Sequence, residues 1–432
     1  MSRASALLAV LALAAARPTT ARADDGAVSL AALIEAARQH HPTLARQPLL
    51  ARSLALQERL IDQAYLPHAQ LAGQATWQSD VTSIAIPIPG VTVTPPPNDQ
   101  YKVTLEIQQS IWDGGRARSQ RHVAAGRAAI AEQQVNLEWF QVRQRILELY
   151  FAGVVQQQLA AQAATLDRRL GEVVAKVQVA QQHGVATPRD VLLAQARQLE
   201  AQQALADAQA QLASVRRALI DLTGTTIAAD AALTAPPIAC DPAAPTAPAA
   251  LHRPELDALT AQAGLLTAQD EVDRAADRPR LGAFATLGYG RPGLNFLDPT
   301  FQPYVIGGVQ LTVPLTHLYA GTRAKTRQQL EVQRALLDRQ RDAVLTQVEV
   351  QLDAQRAEIG RLDATLALDE QLAQVRVQVR GETETQLRLG TATMTDLITD
   401  LSQEDLAQSK LVVHRAQRSL ACHQLAFIQG EL

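Results

Sequence analysis

The chain has 432 residues, of which 47% are hydrophobic but only 3% aromatic, with a formal net charge of −3 and two cysteines. That mild acidity excludes a nucleic-acid surface built on net positive charge, and two cysteines exclude a disulfide-dense scaffold. Abundant alanine and glutamine with so few aromatics make a poor thick globular core and suit long helices packed side by side.

The chain opens with Arg3, an apolar run over residues 6–16, and Ala21, Arg22 and Ala23 in the small-x-small form of a signal-peptidase site. Residues 1–23 therefore read as a cleaved secretory signal. The run is too short to be a membrane anchor, since a helical span needs ~20 apolar residues. Cleavage removes three arginines and no acid, leaving a more acidic remainder. No cysteine lies near the cleavage site, so no lipid anchor is expected there.

Residues 29–39 read as a helix capped by Ser29, with Leu30, Leu33, Ile34 and Ala37 on one face. His41 and Pro42 open a second helical run expected to reach residue 64. From Pro67 the period changes to two. Ala69, Leu71, Gly73, Ala75 and Trp77 alternate with Gln70, Gln74 and Gln78, which predicts a strand over about 67–78 with one apolar and one polar face. A proline-rich connection leads to a second alternating run over about 101–112. Two more alternating runs follow at about 280–289 and 304–315. No later stretch has the length and apolarity of a transmembrane helix, so any crossing would be by strands, and ~10 residues per strand suffice at a tilt. Four strands cannot close a barrel, so several chains would have to share one.

Each strand pair returns to a long helical run, at about 117–182 and 324–389, with no internal proline. At 1.5 Å per residue each run is on the order of 100 Å long. Both end in similar breaks. Gly184, Val185, Ala186, Thr187, Pro188, Arg189 and Asp190 are echoed 206 residues later by Gly390, Thr391, Ala392, Thr393, Met394, Thr395 and Asp396. In each break glycine ends one helix, threonine caps the next and an apolar pair starts a new buried face, the pattern of a hairpin tip. After the first tip, Val191, Ala194, Ala201, Leu205, Ala208, Leu212, Val215, Leu219 and Leu222 form a seam interrupted by Gln198. In the second half Leu345, Leu352, Ile359, Leu366 and Ala373 recur every seven residues, as do Leu406, Val413, Leu420 and Phe427. The chain thus divides into a first repeat over 24–222, a proline-rich linker over 223–250 and a second repeat over 251–432. Cys240 and Cys422 are free to form a disulfide in an exported chain, or to remain two thiols.

The order helix, strand, strand, long helix, tip, helix, linker, then the same again resembles the TolC family of outer-membrane channel proteins over essentially the whole mature chain. Trp112, Asp113, Gly114, Gly115 and Arg116, with their counterpart Leu318, Tyr319, Ala320, Gly321, Thr322 and Arg323, add short motifs in the right places. The resemblance implies a mainly α fold with a transmembrane β part. It also implies a homotrimer whose chains share a 12-stranded outer-membrane β-barrel and whose long helices form a periplasmic α-barrel, the linker lying in its equatorial region. A periplasmic adaptor (membrane fusion) protein, an inner-membrane pump of the resistance-nodulation-division (RND) or ABC type, and outer-membrane lipid are the implied partners. The tips carry the family's adaptor-binding positions onto Gly184, Val185, Ala186, Thr187, Asp190, Gly390, Thr391, Ala392 and Thr393. The periplasmic aperture falls on Asp396, with Thr399 where a second acid can stand and Asp400 beside it. A carboxylate in the first turn of a helix is also simply stabilised by the helix dipole, and that reading stays open for Asp190 and Asp396. Pro188 marks the first tip as the steadier docking surface, and Met394 with Asp396 and Asp400 marks the second as the movable gate.

Nothing in the chain carries an enzyme's chemistry. The nine histidines are scattered, with only His40 and His41 adjacent, and there is no nucleophile elbow, phosphate loop or dinucleotide fingerprint. No cofactor, metal or nucleic acid is expected. The implied function is a passive exit duct for efflux or type I secretion, small-molecule efflux being favoured. The alternative is an exported structural or adhesive coiled-coil protein, which accounts for the heptads but not for four alternating strands.

Overall fold

The computed structural model describes residues 27–82, 95–238, 240, 251–295, 298–315 and 321–431. The expected signal over 1–23, most of the linker's proline cluster and the Leu318, Tyr319 and Ala320 motif lie outside these residues. The elements in chain order are β1 (Ala27–Val28), α1 (Leu30–His40), α2 (Pro42–Ala45), α3 (Gln47–Asp62), a 3-10 turn (Gln63–Tyr65), β2 (His68–Trp77), β3 (Asp99–Trp112), α4 (Arg116–Gln182), α5 (Pro188–Thr223), β4 (Ala232–Leu233), α6 (Pro254–Ala276), β5 (Arg280–Arg291), β6 (Gln302–Thr312), α7 (Thr322–Arg388) and α8 (Met394–Gln429). None of the described helices is long and apolar enough to cross a membrane. The chain separates into two compact units, one of residues 1–45, 137–253 and 346–432 and the other of 46–136 and 254–345.

The second of these units holds an antiparallel sheet of order β2-β3-β5-β6. Its register aligns like with like. Leu71 faces Leu105, Leu105 faces Leu287 and Leu287 faces Val305, so this row is apolar across all four strands, on a side that is polar only near its ends, at Gln109 and at Asp99 with Arg291. Gln70, Glu106 and Thr286 form the adjacent row on the opposite, polar side. Leu71 and Val305 are 73% and 68% exposed, so nothing among the described residues covers the apolar side at this row's outer strands. On the polar side the Tyr304 ring lies over Gly288, where a Cβ would come within 2.1 Å of it. Thr104, in the same cross-strand row, is 5% exposed.

Helix α3 was expected to be continuous from Pro42. Instead the chain breaks at Arg46, and α3 starts afresh with Pro48 in its first turn. Pro48 has no N–H for the carbonyl of Leu44, so the helix cannot run through. Around the helices of this unit, Arg121 of α4 pairs with Asp62 of α3 at 3.0 Å and His122 with Glu271 of α6 at 2.6 Å.

The other unit has two apolar cores. In one, Leu30, Leu33 and Ala37 of α1 pack with Ile146, Tyr150, Phe151 and Val154 of α4, Leu212 and Leu219 of α5, and Phe427 of α8. Strands β1 and β4 pair in parallel beside it, and the Tyr150 hydroxyl lies 2.8 Å from the carbonyls of both Val28 and Thr234. Cys240 and Cys422 form a disulfide that joins positions 182 residues apart. The second core is built at the tips and is described below.

The seams follow the predicted residues with two informative departures. Gln198 in α5 donates to Asp167 of α4 at 3.2 Å, so the polar interruption is a link between two helices. In α8 the sevenfold series beginning at Leu406 is displaced there, since Leu406 is 50% exposed while Leu401, Glu404 and Ala407 are buried. A carboxylate occupies the seam because two arginines reach it, and the stripe shifts to accommodate it.

The glycine under Tyr304 yields a direct test. Gly288→Ala forces the Tyr304 ring out of its seat and costs about 1–3 kcal/mol by overpacking. The double change Gly288→Ala with Tyr304→Ser restores much of it, which thermal unfolding of the parent, both single variants and the double variant measures as a coupling energy.

Candidate functional site

The two tips are built alike. At the first, Gly184 takes φ of 71°, its N–H donates to Gln181, and the Val185 N–H reaches back to Ala180 at 2.9 Å. At the second, Gly390 takes φ of 75°, its N–H donates to Leu387, and the Thr391 N–H reaches Gln386 at 2.9 Å. Both are Schellman closures, which satisfy carbonyls at a helix C-terminus through a left-handed residue. The next helix begins at once. Thr187 caps α5 and Thr393 caps α8. Each cap is reciprocal: Asp190 accepts from the Thr187 N–H at 2.9 Å, and Asp396 from the Thr393 N–H at 2.9 Å. A stop and a start thus meet with two residues between them, leaving a turn with little freedom.

The tips differ in chemistry. Pro188 stands in the first turn of α5, where Met394 stands in α8. Val185 is 83% exposed, whereas its counterpart Thr391 donates its hydroxyl to the Gln386 carbonyl at 3.1 Å. The two are joined by a hydrogen bond from the Thr395 hydroxyl to Asp190 at 3.2 Å. Behind them Leu170, Val173, Val174 and Val177 of α4, Val191, Ala194 and Ala201 of α5, and Leu397, Ile398 and Leu401 of α8 form one buried cluster, with Ala186, Leu387 and Met394 against its edge.

The acids have distinct surroundings. The Thr187 N–H and hydroxyl hold the Asp190 carboxyl below the usual carboxylate range, and the Thr393 hydroxyl and N–H do the same for Asp396. Asp396 is exposed, while Asp400 accepts from the Thr383 hydroxyl of α7 at 2.6 Å. Cys240 and Cys422 contribute nothing at the tips, since their disulfide belongs to the region of β4 and the end of α8.

A charged cluster that sequence reasoning missed lies farther along α8. Glu404 is 2% exposed and accepts from Arg169 of α4 at 3.2 Å, from Arg380 of α7, and from Gln408 at 3.1 Å. Desolvation works to lower the Arg380 pKa, but hydrogen bonds and charge from Glu404 and Glu384 raise it overall. Beside this cluster, burial pushes the Asp405 carboxyl up, with Arg169 opposing and Glu404 adding to the effect. Asp405 lines a recess of about 250 Å³ with Thr165 and Leu166. The signal was a glutamate at a position where a spacing of three or four from Leu401 and Ala407 calls for an apolar residue. Among the described residues no group of histidine, cysteine and acidic side chains is arranged to hold a metal ion.

Residues 33–225 match the model of the outer membrane efflux protein family. No curated protein matches the sequence. The fold is shared with solved structures. VceC, an outer membrane protein of Vibrio cholerae, has a TM-score of 0.66 at 20% identity, over 93% of this chain and 96% of that one. CusC, described in terms of transmembrane channel formation, has a TM-score of 0.69 at 14% identity, over 93% and 91%. The open state of the MtrE outer membrane channel of Neisseria gonorrhoeae has 0.66 at 15%, over 93% and 88%.

Two measurements check these local assignments. Thr393→Ala lowers the exchange protection of the first α8 amides by about 1 kcal/mol, roughly fivefold, by removing the cap. A carboxyl whose folded pKa is raised makes the protein less stable as pH rises through that value. Asp405→Asn is therefore more stable than the parent near neutral pH, and the difference closes as pH falls below the usual carboxylate range. The tip caps have the opposite sign, being intact there and lost as pH falls through the depressed values of Asp190 and Asp396.

Proposed function

We propose, from the match of residues 33–225 to the outer membrane efflux protein family model, that the chain is the outer-membrane exit duct of a tripartite efflux system. Three copies assemble into a passive channel, a periplasmic adaptor docks at the helical tips, and an inner-membrane pump of the RND or ABC type supplies the energy. The cargo is a small molecule, with type I secretion of a polypeptide as the second use of the same architecture. The protein resides in the outer membrane, with its long helices in the periplasm.

The observation that carries this reading is the sheet of β2, β3, β5 and β6. It separates a largely apolar from a largely polar side, its register shifting only between Ser110 and Trp112, it is too narrow to close on itself, and its strands of 10–14 residues are long enough to cross a bilayer. A strand set of this kind is stable in hydrocarbon only as part of a closed cylinder. The nearly matched tips support a periplasmic end made of two similar hairpins per chain. In that end Gly184, Val185, Ala186, Thr187, Asp190, Gly390, Thr391, Ala392 and Thr393 form the docking surface. Asp396 is the aperture acid, because its carboxylate is exposed beyond its cap, whereas Asp400 is engaged by Thr383. Three exposed carboxylates around one axis attract cations and repel anions.

The assembly is tested by fractionation and by migration on native gels. Recovery as a soluble periplasmic monomer overturns the duct and favours an exported structural or adhesive coiled coil. The aperture is tested in planar bilayers. Asp396→Ala raises single-channel conductance by roughly twofold and weakens block by divalent cations, and unchanged conductance and block overturn its role.

A further inference from the structure

The polar side of the sheet is unevenly charged. Along the described strands it carries His68, Lys102, Glu106 and Arg280. Arg280 begins β5 opposite Thr312 and lines a recess of about 310 Å³ with His68, Gln108, Ser110, Phe284 and Gln310. Its Nε is buried with no hydrogen-bond partner among the described residues. The acids at the end of β3 and just before β5 are already engaged. Asp113 accepts from the Gly115 and Ala117 amides at 2.9 and 2.6 Å, and Asp277 from Arg323 at 2.7 Å. Glu106 stands opposite Thr286, six residues along β5 and therefore ~20 Å from Arg280. A guanidinium in a walled recess, with a buried unpaired nitrogen and no ion pair to a carboxylate among the described residues, favours an anion.

The other residues restrict what that anion can be. Gln108, Gln310 and Ser110 are neutral donors, suited to further oxygens of the same group. Phe284 lies across Gly308, where a Cβ would meet its ring at 3.0 Å, so the ring is seated flat against the sheet and offers an apolar surface. We propose that this recess binds an organic anion, with a carboxylate at Arg280 and a flat apolar body against Phe284. The inference rests on the proposed duct, in which the polar side of the sheet faces the lumen. It gives that lumen three sites for aromatic carboxylates, the class of solute that the acids of the periplasmic aperture disfavour when ionised. The duct thus holds an anion past the aperture instead of repelling it throughout.

The probe is 2-naphthoate, with 2-naphthamide as its uncharged counterpart. Binding to the full-length protein in lipid nanodiscs is followed by calorimetry, and block of single-channel current is followed in planar bilayers. The wild type binds 2-naphthoate saturably and at least about tenfold more tightly than the amide, because the ionised acceptor makes the stronger hydrogen bond. Arg280→Gln weakens binding by about tenfold and Arg280→Lys by less, with unchanged thermal unfolding. Lys102→Gln leaves calorimetric binding as it was, since Lys102 lies beside Tyr304, farther along the sheet. Absence of saturable binding, equal affinity for the amide, or an Arg280→Gln variant that binds like the wild type overturns the site. Arg280-dependent binding in a protein without conductance upholds the site and overturns the duct, and conductance without binding does the reverse.

Discussion

A backbone N–H or C=O in hydrocarbon has no water to turn to, and this requirement governs the architecture. In the order β2-β3-β5-β6, the two inner strands are paired on both sides, while β2 and β6 each present one side without a partner among the described residues. An open edge of that length is untenable in a membrane and hazardous outside one. The apolar side poses a second requirement of the same kind, because Leu71, Val103, Val305 and Val309 are half or more exposed. In the proposed assembly, further copies satisfy the edges and lipid covers the apolar side. One chain is therefore an incomplete fold, stable in its helices and unfinished in its strands.

The helical part answers a different constraint. Long helices with few aromatics gain little per residue from burial, so close approach of small side chains at Ala194, Ala201 and Ala208 has to supply contact. The tips must then end four helices per chain without leaving their backbone groups unmatched. They do so with the same pair of devices twice, a left-handed glycine and a threonine–aspartate box. Glu404 goes against the economy of the seam. A carboxylate at 2% exposure is tolerated because Arg169 and Arg380 come to it from two other helices. It specifies which faces of α4, α7 and α8 meet, where alanines alone would permit sliding.

Much of this was readable from residues because the governing patterns are local. Alternation from Ala69 to Trp77 is a property of adjacent residues, and a strand is the only conformation that turns it into two faces. Glycine followed three residues later by threonine, then aspartate, encodes a stop and a start within seven residues. The unread features depend on contacts made at long range. Nothing near Arg280 in sequence announces that His68 and Gln310 will join it, and Gln198 looks like a flaw until Asp167 is seen opposite it. The exposure of Leu406 has the same origin, since the stripe of α8 is set by two arginines on other helices, Arg169 and Arg380. Pro48 is the exception, a local signal, since a proline six residues into the run that opens at Pro42 removes the N–H a continuous helix needs there.

The disulfide has a consequence for the order in which the protein is made. A chain exported from its N-terminus delivers Cys240 long before Cys422, and β5, β6 and α7 lie between them. Until residue 422 has emerged, Cys240 is a lone thiol. Closure of the bridge then encloses β5 and β6, half of the four-stranded sheet, in one covalent ring and leaves β2 and β3 outside it. In the proposed duct the bond therefore forms only after residue 422 has been exported, and couples the redox chemistry of the compartment to the assembly of a chain with its copies.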